Sequence, residues 1–458
     1  MVSSDLQTAR RESPQSAPHS SSGERSDAHP EDESRTSRGE ELRPSMAARM
    51  TSSTADEGSG SIPLSVRERP SRRARMGGVI WRRVRQWFVH ELAVDLGTAN
   101  TLIYGRGRGL LVREPSVVAI NKYTGALVAA GSEALAMLGR EPRDVVVRYP
   151  MRDGTVADEH LAALMLGAFL ERAGAHGFGQ RVHILVGVPS SATDVERMAL
   201  REIAHRAGAD RVHLVEEGLA AALGLELPQR NGCAHMIVDI GGGTTGVSIV
   251  SAYGLIAARA LGVAGNEMTD AILEYLQQER DLLIGWQVAE EVKFELASAL
   301  PFIVAGRKRV HGKSAITGEL EEVEVAAEEV ARAIERPIRI IVNAVRAVIE
   351  MAPPDVAADL HQFGIVLTGG GSLVRHLDAR LREELRLPVA RAERPLEAVI
   401  LGMARLLERP ELREQFRADS PSPVWAETTL SEDARPSLEI PISAWTRERP
   451  RRRHAMRG

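Results

Sequence analysis

The chain contains a single cysteine, Cys233, among its 458 residues. One thiol excludes an intramolecular disulfide and a cysteine-based zinc site, and this composition fits a reducing setting. No apolar run reaches the length of 18 residues that marks a membrane-spanning helix. The polar N-terminal residues also lack the pattern of a secretory signal peptide, so we expect a cytoplasmic protein.

Lysine is also scarce, since only four of the 58 basic residues are lysines. Arginine therefore carries almost all of the positive charge. The formal net charge is −4, so the chain as a whole does not have the character of a polyanion-binding protein. A length of 458 residues allows two or three domains.

Aromatic and β-branched residues are almost absent from residues 1–75, which are rich in Ser, Arg, Glu, Asp and Pro. Such a segment cannot bury enough apolar surface to offset the entropy that it would lose on ordering. We therefore predict a disordered N-terminal extension over residues 1–75. The charged, proline-containing residues 409–458 predict a disordered C-terminal tail by the same argument.

Residues 76–90 predict a basic amphipathic helix. At helical spacing, Trp81, Trp87 and neighbouring apolar residues form one stripe, while arginines fall on the opposite side. Aromatic anchors opposite arginines suit an anionic membrane surface, so we expect residues 79–89 to act as a peripheral anchor. Docking of this helix on the chain's own globular part is the alternative. Nucleic-acid binding is less favoured, and we expect no nucleic-acid partner.

The globular part is organised around Val94–Thr101, where an apolar strand closes with Asp95 and leads into a turn of Gly, Thr, Ala and Asn. A second apolar run begins at once, so the segment predicts a β-hairpin with a tip of small residues. Glycine at such a tip lets backbone N–H groups approach an anion, and Thr and Asn side chains add donors. The aspartate is placed to meet a metal ion that accompanies the anion.

The same plan recurs at Met236–Thr245, where an apolar strand leads through Asp239 to three glycines and two threonines. A third glycine-rich turn follows the apolar residues before Gly369, and we expect a helix to begin there at Leu373. Two copies of the same supersecondary unit are stronger evidence for a phosphate-binding site than either copy alone. Two related hairpins could hold one phosphate chain between them, which we favour over two ordinary glycine-rich hairpins.

Between these motifs, apolar strands alternate with segments at helical spacing, which predicts an α/β fold with a partly parallel sheet. Residues 327–351 predict one long helix, with a break near Pro337. Residues 391–408 predict a closing helix that returns to the first half of the fold.

These motifs resemble those of the actin-like ATPase superfamily and, within it, of the MreB family of bacterial actins. Asp95–Thr101 is similar to the first phosphate motif, Asp239–Thr245 to the second, and Gly364–Ser372 to the adenosine motif. The similarity extends from about residue 91 to residue 407 and includes segments without chemistry, such as Met151–Gly154.

The resemblance implies an actin-like fold in which two ribonuclease-H-like lobes, residues 91–230 and 231–390, enclose a nucleotide cleft. It implies ATP and Mg²⁺ as cofactors and a weak ATPase activity coupled to polymerisation. It also implies membrane-associated filaments that organise cell shape and peptidoglycan synthesis together with cell-wall synthesis and morphogenesis proteins. The protein is then expected in the cytoplasm, peripheral at the inner face of the cell membrane.

The resemblance assigns roles to individual residues as well. Asp95 and Asp239 would hold Mg²⁺, and Glu217 would position the attacking water with Thr244 beside it. The nucleotide would be bound by Thr98, Ala99, Asn100, Gly241, Gly242, Gly243, Thr244, Glu290, Glu291, Val292, Lys293, Gly370, Gly371, Ser372 and Leu373. The alternatives are a carboxylate that only caps a helix for Glu217, and a solvated charged face for Glu290 to Lys293.

Three positions depart from the family pattern, which indicates a divergent paralogue. Gly218 stands where relatives have proline, Gly246 where they have glutamate, and Asn266 where they have aspartate. These departures concern hydrolysis and filament contacts more than nucleotide binding. A non-polymerising nucleotide-binding scaffold and a chaperone-type ATPase are therefore the alternative functions, and the choice between ATP and GTP stays open.

Overall fold

The computed structural model describes residues 89–175, 180–227, 232–252, 254–300 and 305–413. The predicted N-terminal extension, residues 76–88 of the predicted amphipathic helix, and residues 414–458 of the predicted C-terminal tail lie outside these ranges. Residues 410–413, which that prediction placed in the disordered tail, instead form a short helix. Val89 and His90, which were predicted to lie in the amphipathic helix, instead begin a strand, because both pair in register with the parallel strand at Arg181 and Val182.

The strands are β1 (Val89–Leu96), β2 (Asn100–Gly105), β3 (Gly109–Pro115), β4 (Val118–Asn121), β5 (Leu127–Ala130), β6 (Val145–Arg148), β7 (Met151–Arg152), β8 (Thr155–Val156), β9 (Arg181–Val188), β10 (Arg211–Glu216), β11 (His235–Ile240), β12 (Thr245–Ser251), β13 (Gly254–Leu261), β14 (Leu282–Leu283), β15 (Arg307–Ser314), β16 (Leu320–Ala326), β17 (Ile365–Thr368) and β18 (Val389–Arg391).

The helices are α1 (Ser132–Met137), α2 (Glu159–Arg172), α3 (Asp194–Arg206), α4 (Glu217–Gly224), α5 (Gly265–Arg280), α6 (Trp286–Leu296), α7 (Ala327–Ala333), α8 (Glu335–Glu350), α9 (Pro354–Phe363), α10 (Leu377–Leu385), α11 (Ala398–Glu408) and α12 (Pro410–Arg413). Among the described residues, short 3-10 helices lie at Gly370–Leu373 and at Pro395–Glu397. Among the described helices, none is both long and apolar enough to cross a membrane.

Two five-stranded sheets share one topology. The first has the order β10-β9-β1-β2-β3 and the second β13-β12-β11-β17-β18. In each sheet the first three strands along the chain are antiparallel neighbours, and the last two add in parallel beside the first. The two copies confirm the internal repeat that the hairpin motifs predicted.

One prediction about helices is confirmed and another was wrong in its details. The long helix breaks at Ile334, between α7 and α8, three residues before Pro337 and so near the predicted place. Pro337 lies in the first turn of α8, where a missing N–H removes no intrahelical hydrogen bond. Leu373 ends a 3-10 helix, and the α-helix begins only at Leu377, so Gly369 does not lead directly into an α-helix.

Helices α4 and α11 pack between the two sheets. They share an apolar cluster with Ala93 and Leu185 of the first sheet and with Ile237 and Val250 of the second. Their backbones approach closely: a Cβ placed on Gly402 of α11 would lie 1.7 Å from the carbonyl oxygen of Ala220 in α4. Glycine permits this approach. The contact fixes α4, whose first residue is Glu217.

Candidate functional site

The two hairpin tips have the same local geometry. The Gly97 N–H donates to the Asn100 carbonyl (3.1 Å), and the Gly241 N–H donates to the Thr244 carbonyl (2.8 Å). The backbone N–H groups of the two central residues in each tip donate no hydrogen bond within the described residues. Each tip therefore offers free donors to an anion.

The tips face each other closely. A Cβ added to Gly242 would lie 2.6 Å from the Ala99 Cβ, and one added to Gly243 would lie 2.8 Å from the Thr98 hydroxyl oxygen. Only glycine fits at these two positions, because any side chain would collide with the opposite tip. The predicted pair of phosphate-accommodating turns is thus assembled at one place.

The turn between β7 and β8 touches both tips. The Gly154 N–H donates to the Thr98 hydroxyl (2.9 Å), so this hydroxyl is held in place and keeps its own proton to donate. A Cβ on Gly154 would lie 2.0 Å from the Thr244 Cγ2, and Gly154 has a φ of 75°. Both facts require glycine there.

Three partly buried carboxylates, Asp95, Glu217 and Asp239, lie beside the tips. Burial raises the pKa of Asp95 to about 7, and the charge of Asp239 adds to this shift. Burial raises the pKa of Asp239 to about 6, which the Thr368 hydroxyl partly offsets. Burial raises the pKa of Glu217 well above its usual range, and the charges of both aspartates add to this. Within the described residues, none of the three carboxylates forms an ion pair.

This carboxylate set fits a divalent cation. Buried carboxylates without a cationic partner are costly, and a bound cation would remove that cost. No group of three or more His, Cys, Asp or Glu in the described part of the chain forms a metal-binding cluster. Mg²⁺ suits the pair Asp95 and Asp239, because proteins usually hold it through one or two carboxylates together with waters and phosphate oxygens.

A buried network joins α6 to the second tip. The Lys293 amine donates to the Gly265 carbonyl (2.8 Å), the Thr269 hydroxyl (2.8 Å) and the Glu290 carboxylate (2.7 Å). Burial lowers the pKa of Lys293, and Glu290 opposes this shift. The Gly265 N–H in turn donates to the Gly241 carbonyl (3.1 Å). Lys293 therefore holds the wall of the site in place.

Most of the predicted site residues line one cleft of about 560 Å³, a volume typical of small-molecule sites. They are Asp95, Thr98, Ala99, Asn100, Glu217, Asp239, Gly241, Gly242, Gly243, Thr244, Glu290, Lys293, Gly370, Gly371 and Leu373. The other three do not line it. Glu291 is exposed and pairs with Lys308, Val292 is buried in an apolar cluster, and the buried Ser372 hydroxyl donates to the Gly369 carbonyl.

Several residues that line the cleft were not predicted from the sequence. Trp286 and Phe294 lie on α6 with Glu290 and Lys293, and Ala297 follows the last residue of this helix. The further lining residues include Arg113, Asn266, Arg375 and Leu396. The spacing of 286, 290, 293, 294 and 297 marks one helix face. That periodicity could have predicted Trp286, Phe294 and Ala297 as lining residues, and it could have excluded Glu291 and Val292.

The departures at Gly218 and Gly246 have different structural settings. A Cβ on Gly218 would lie 2.3 Å from the Ser248 hydroxyl oxygen and 2.7 Å from the Ser248 Cβ, so a larger residue does not fit without a shift. A Cβ on Gly246 would meet nothing within 4 Å. Close packing against Ser248 of β12 therefore favours glycine at position 218, next to Glu217. A side chain at position 246 would instead enter open space.

Known proteins resemble the chain over this whole region. A family model described as MreB/Mbl protein matches residues 89–415. The cell shape-determining protein MreB of Escherichia coli is 40% identical over 332 residues, 71% of this chain and 96% of that protein. The cell shape-determining protein Mbl of Bacillus cereus is 37% identical over 323 residues, 70% of this chain and 96% of that protein.

A solved structure agrees with this match. The crystal structure of MreB5 of Spiroplasma citri bound to AMPPNP superposes with a TM-score of 0.67. Its sequence is 32% identical to this one, and the match covers 71% of this chain and 98% of that chain.

Proposed function

The chain belongs to the MreB/Mbl protein family, and from this premise we propose that it binds ATP with Mg²⁺ in the cleft, hydrolyses it slowly and assembles into filaments. Membership confirms the predicted family resemblance and the predicted actin-like α/β fold with two lobes. The observation that carries the proposal is the meeting of two like hairpin tips with three partly buried carboxylates in one cleft.

The two tips would bind the triphosphate. Their free backbone N–H groups and the Thr98 hydroxyl would donate to phosphate oxygens from opposite sides, and the contact of Gly154 with Thr98 would keep that hydroxyl oriented. Asp95 and Asp239 would hold Mg²⁺, which neutralises charge on the phosphates. ATP is favoured over GTP because the Spiroplasma relative was solved with AMPPNP.

Glu217 would orient the attacking water. Its carboxylate lies in the cleft with Thr244 and within the electrostatic range of both aspartates. It begins α4, which the glycine contact with α11 fixes in position. Phosphoryl transfer depends mainly on positioning and charge stabilisation, so a rigidly held carboxylate at this place suits hydrolysis.

Glu217→Gln is expected to slow phosphate release by about 100-fold, within the range for a general base, while ATP still binds. The amide keeps the shape of the side chain but cannot accept the proton of the water. Phosphate release and titration calorimetry with Mg-ATP measure the two effects. Glu291→Gln is the matched control, since this exposed carboxylate pairs with Lys308 away from the cleft. A Glu217→Gln variant with unaltered phosphate release would contradict the role.

The phosphate-release assay also distinguishes an ATP-hydrolysing protein from the alternative, a nucleotide-binding scaffold without hydrolysis. Nucleotide uptake by the unmodified protein without phosphate release would identify a scaffold, and sedimentation with ATP would separate filaments from monomers.

We further propose that the filaments lie at the inner face of the cell membrane and guide peptidoglycan synthesis with cell-wall proteins, as the family name of cell shape-determining proteins suggests.

Membrane association would depend on the aromatic and arginine residues of segment 79–89. Changing Trp81 and Trp87 to Glu is expected to remove most of the protein from floating anionic liposomes, because both aromatic anchors are lost. Flotation of the full chain measures this, with neutral liposomes as the control. Equal flotation of variant and unmodified protein would rule out this anchor.

A further inference from the structure

A buried ion pair lies next to Glu217. Glu216, the last residue of β10, is only 7% exposed, and its carboxylate lies 3.5 Å from the guanidinium of Arg197 on α3, a side chain that is also mostly buried. Glu216 and Glu217 are neighbours in the chain, but the first side chain meets α3 and the second lines the cleft. The residue that would orient the attacking water therefore directly follows an anchored residue.

The Arg197 guanidinium joins two segments that border the site. Its Nε donates to the Ala192 carbonyl (3.1 Å), and its Nη2 donates to the Glu216 carboxylate (3.5 Å). Ala192 belongs to the loop between β9 and α3, and this loop lines a small cavity together with Thr244 of the second tip. One side chain thus holds both the start of α4 and the loop next to Thr244.

The local sequence fixes the place of this guanidinium. A capping box begins α3, in which the Glu196 N–H donates to the Thr193 hydroxyl (3.3 Å) and the Thr193 N–H donates to the Glu196 carboxylate (2.7 Å). Arg197 follows Glu196, and its own N–H donates to the Thr193 carbonyl (2.9 Å). The first turn of α3 is therefore well ordered, and Arg197 extends from it to Glu216.

Loss of this guanidinium would leave a buried carboxylate without its cation. Burial raises the pKa of Glu216, and the charge of Arg197 is the largest influence that opposes the shift. An unpaired buried charge is unfavourable, so the Glu216 side chain would turn toward water or take up a proton. Among the described residues, no side chain caps the start of α4 and could hold it instead. Either response would therefore disturb the position of Glu217.

We propose that Arg197 is a positioning residue for hydrolysis, which holds Glu216 so that the Glu217 carboxylate stays directed at the attacking water. The contact with α11 supports the body of α4, whereas the ion pair supports its first residue. This inference rests on the proposed function and deepens it, because it names a residue outside the cleft lining on which the rate of hydrolysis depends.

Arg197→Met tests this role, since methionine keeps an apolar side chain of similar length and removes the charge. Phosphate release is expected to fall by about 10-fold, less than the loss that a misplacement of about 1 Å can cause. Binding of a non-hydrolysable ATP analogue, measured by calorimetry, is expected to stay unchanged. Arg206→Met is the matched control, because Arg206 lies on the same helix and pairs with the exposed Glu202. It should change neither quantity.

Combination with Glu217→Gln tests whether Arg197 acts through Glu217. In a protein that already carries Glu217→Gln, Arg197→Met is expected to lower phosphate release no further, because the carboxylate that it positions is absent. Single-turnover measurements detect these slow rates. A residue that only stabilised the fold would slow the Glu217→Gln variant by the same factor as the unmodified protein. Such equal factors would overturn the proposed role.

Removal of the stranded charge is a second test. The double variant Arg197→Met with Glu216→Gln leaves no unpaired charge, and neutral replacement of a buried ion pair is often tolerated. It is expected to regain most of the phosphate release that Arg197→Met loses, and to fold even if Arg197→Met alone does not. A folded double variant as slow as Arg197→Met, or about 10-fold slower than the unmodified protein, would show that Arg197 does not act through Glu216.

The outcomes distinguish this inference from the proposed function. If the unmodified protein releases phosphate and folded Arg197→Met releases it equally fast, the positioning role is wrong and hydrolysis stands. If Arg197→Met weakens binding of the analogue as much as it slows phosphate release, Arg197 supports the whole cleft and the positioning role is again wrong. If the unmodified protein releases no phosphate, the proposed hydrolysis fails and the role of Arg197 fails with it.

Discussion

Asp239→Asn is expected to abolish magnesium-dependent ATP hydrolysis and, at the same time, to stabilise the nucleotide-free protein. The two effects have one cause. Asp239 is partly buried near Asp95 and Glu217, and none of these carboxylates has an ion pair within the described residues. The arrangement that suits a cation is unfavourable for folding without one.

The expected gain follows from the pKa of Asp239. Burial raises this pKa to about 6 from the usual 3.8, so at pH 7.5 the carboxylate is ionised at a cost of about 2–3 kcal/mol, since one pKa unit corresponds to about 1.4 kcal/mol. Asparagine has the same shape and no charge. Thermal denaturation without nucleotide at pH 7.5 should therefore give a higher midpoint for the variant.

The loss of hydrolysis follows from the same substitution. An amide is a poorer ligand for Mg²⁺ than a carboxylate, so calorimetry with Mg-ATP should show weaker uptake and phosphate release should fall to background. Asp144→Asn, at an exposed aspartate far along the chain from either tip, should change neither quantity. Unchanged hydrolysis by the Asp239→Asn variant would contradict the role of Asp239 in binding Mg²⁺. A lower midpoint of thermal denaturation would contradict the expected stabilisation by loss of the charge.

Local sequence patterns predicted the repeated hairpins because the information is local. In each copy, a strand, an aspartate, glycines and a second strand are contiguous, and the described hairpin strands β1 and β2, β11 and β12 follow that order. The meeting of the two tips is not local. It depends on the contacts of Gly242 with Ala99 and of Gly243 with Thr98, and the prediction of one site came from the repeat and the family resemblance.

The residues that the family resemblance assigned to the nucleotide show where local patterns are insufficient. Four successive residues, Glu290 to Lys293, were assigned to the nucleotide, yet successive residues of a helix point in different directions. In the structure Glu290 and Lys293 line the cleft, while Glu291 and Val292 point elsewhere. The helical period of α6 would have separated the residues that line the cleft from those that do not. The positions of Arg375 and Leu396 in the cleft wall, in contrast, depend on tertiary packing.

Local patterns located one helix boundary and missed another. A break was expected near Pro337, and it lies at Ile334, so that the proline falls in the first turn of α8, where it is tolerated. The glycines at 369–371 were expected to lead into an α-helix. A Cβ on Gly369 would lie 2.2 Å from the Ile240 carbonyl oxygen, so this turn is shaped by its approach to β11 rather than by the helix that follows.

Gly402→Ala is expected to destabilise the protein by about 3 kcal/mol, the upper end of the range for overpacking. The added methyl group would lie 1.7 Å from the Ala220 carbonyl oxygen. This atom belongs to the backbone of a buried helix, so it cannot move aside as a flexible side chain would. Either α4 or α11 must shift, and both belong to the cluster that joins the two sheets.

A shift of α4 should also slow ATP hydrolysis. Ala220 lies three residues, less than one helical turn, after Glu217, so a displaced α4 moves the carboxylate that would orient the water. Phosphate release is therefore expected to fall at temperatures where Gly402→Ala is still folded. Gly246→Ala is the matched control for stability, because its methyl group enters open space and the change should stay within about 0.5 kcal/mol. Equal urea midpoints for the Gly402→Ala and Gly246→Ala variants would contradict the close backbone contact. A destabilised Gly402→Ala that keeps full activity would show instead that Glu217 is positioned by its contacts in the cleft and not by α11.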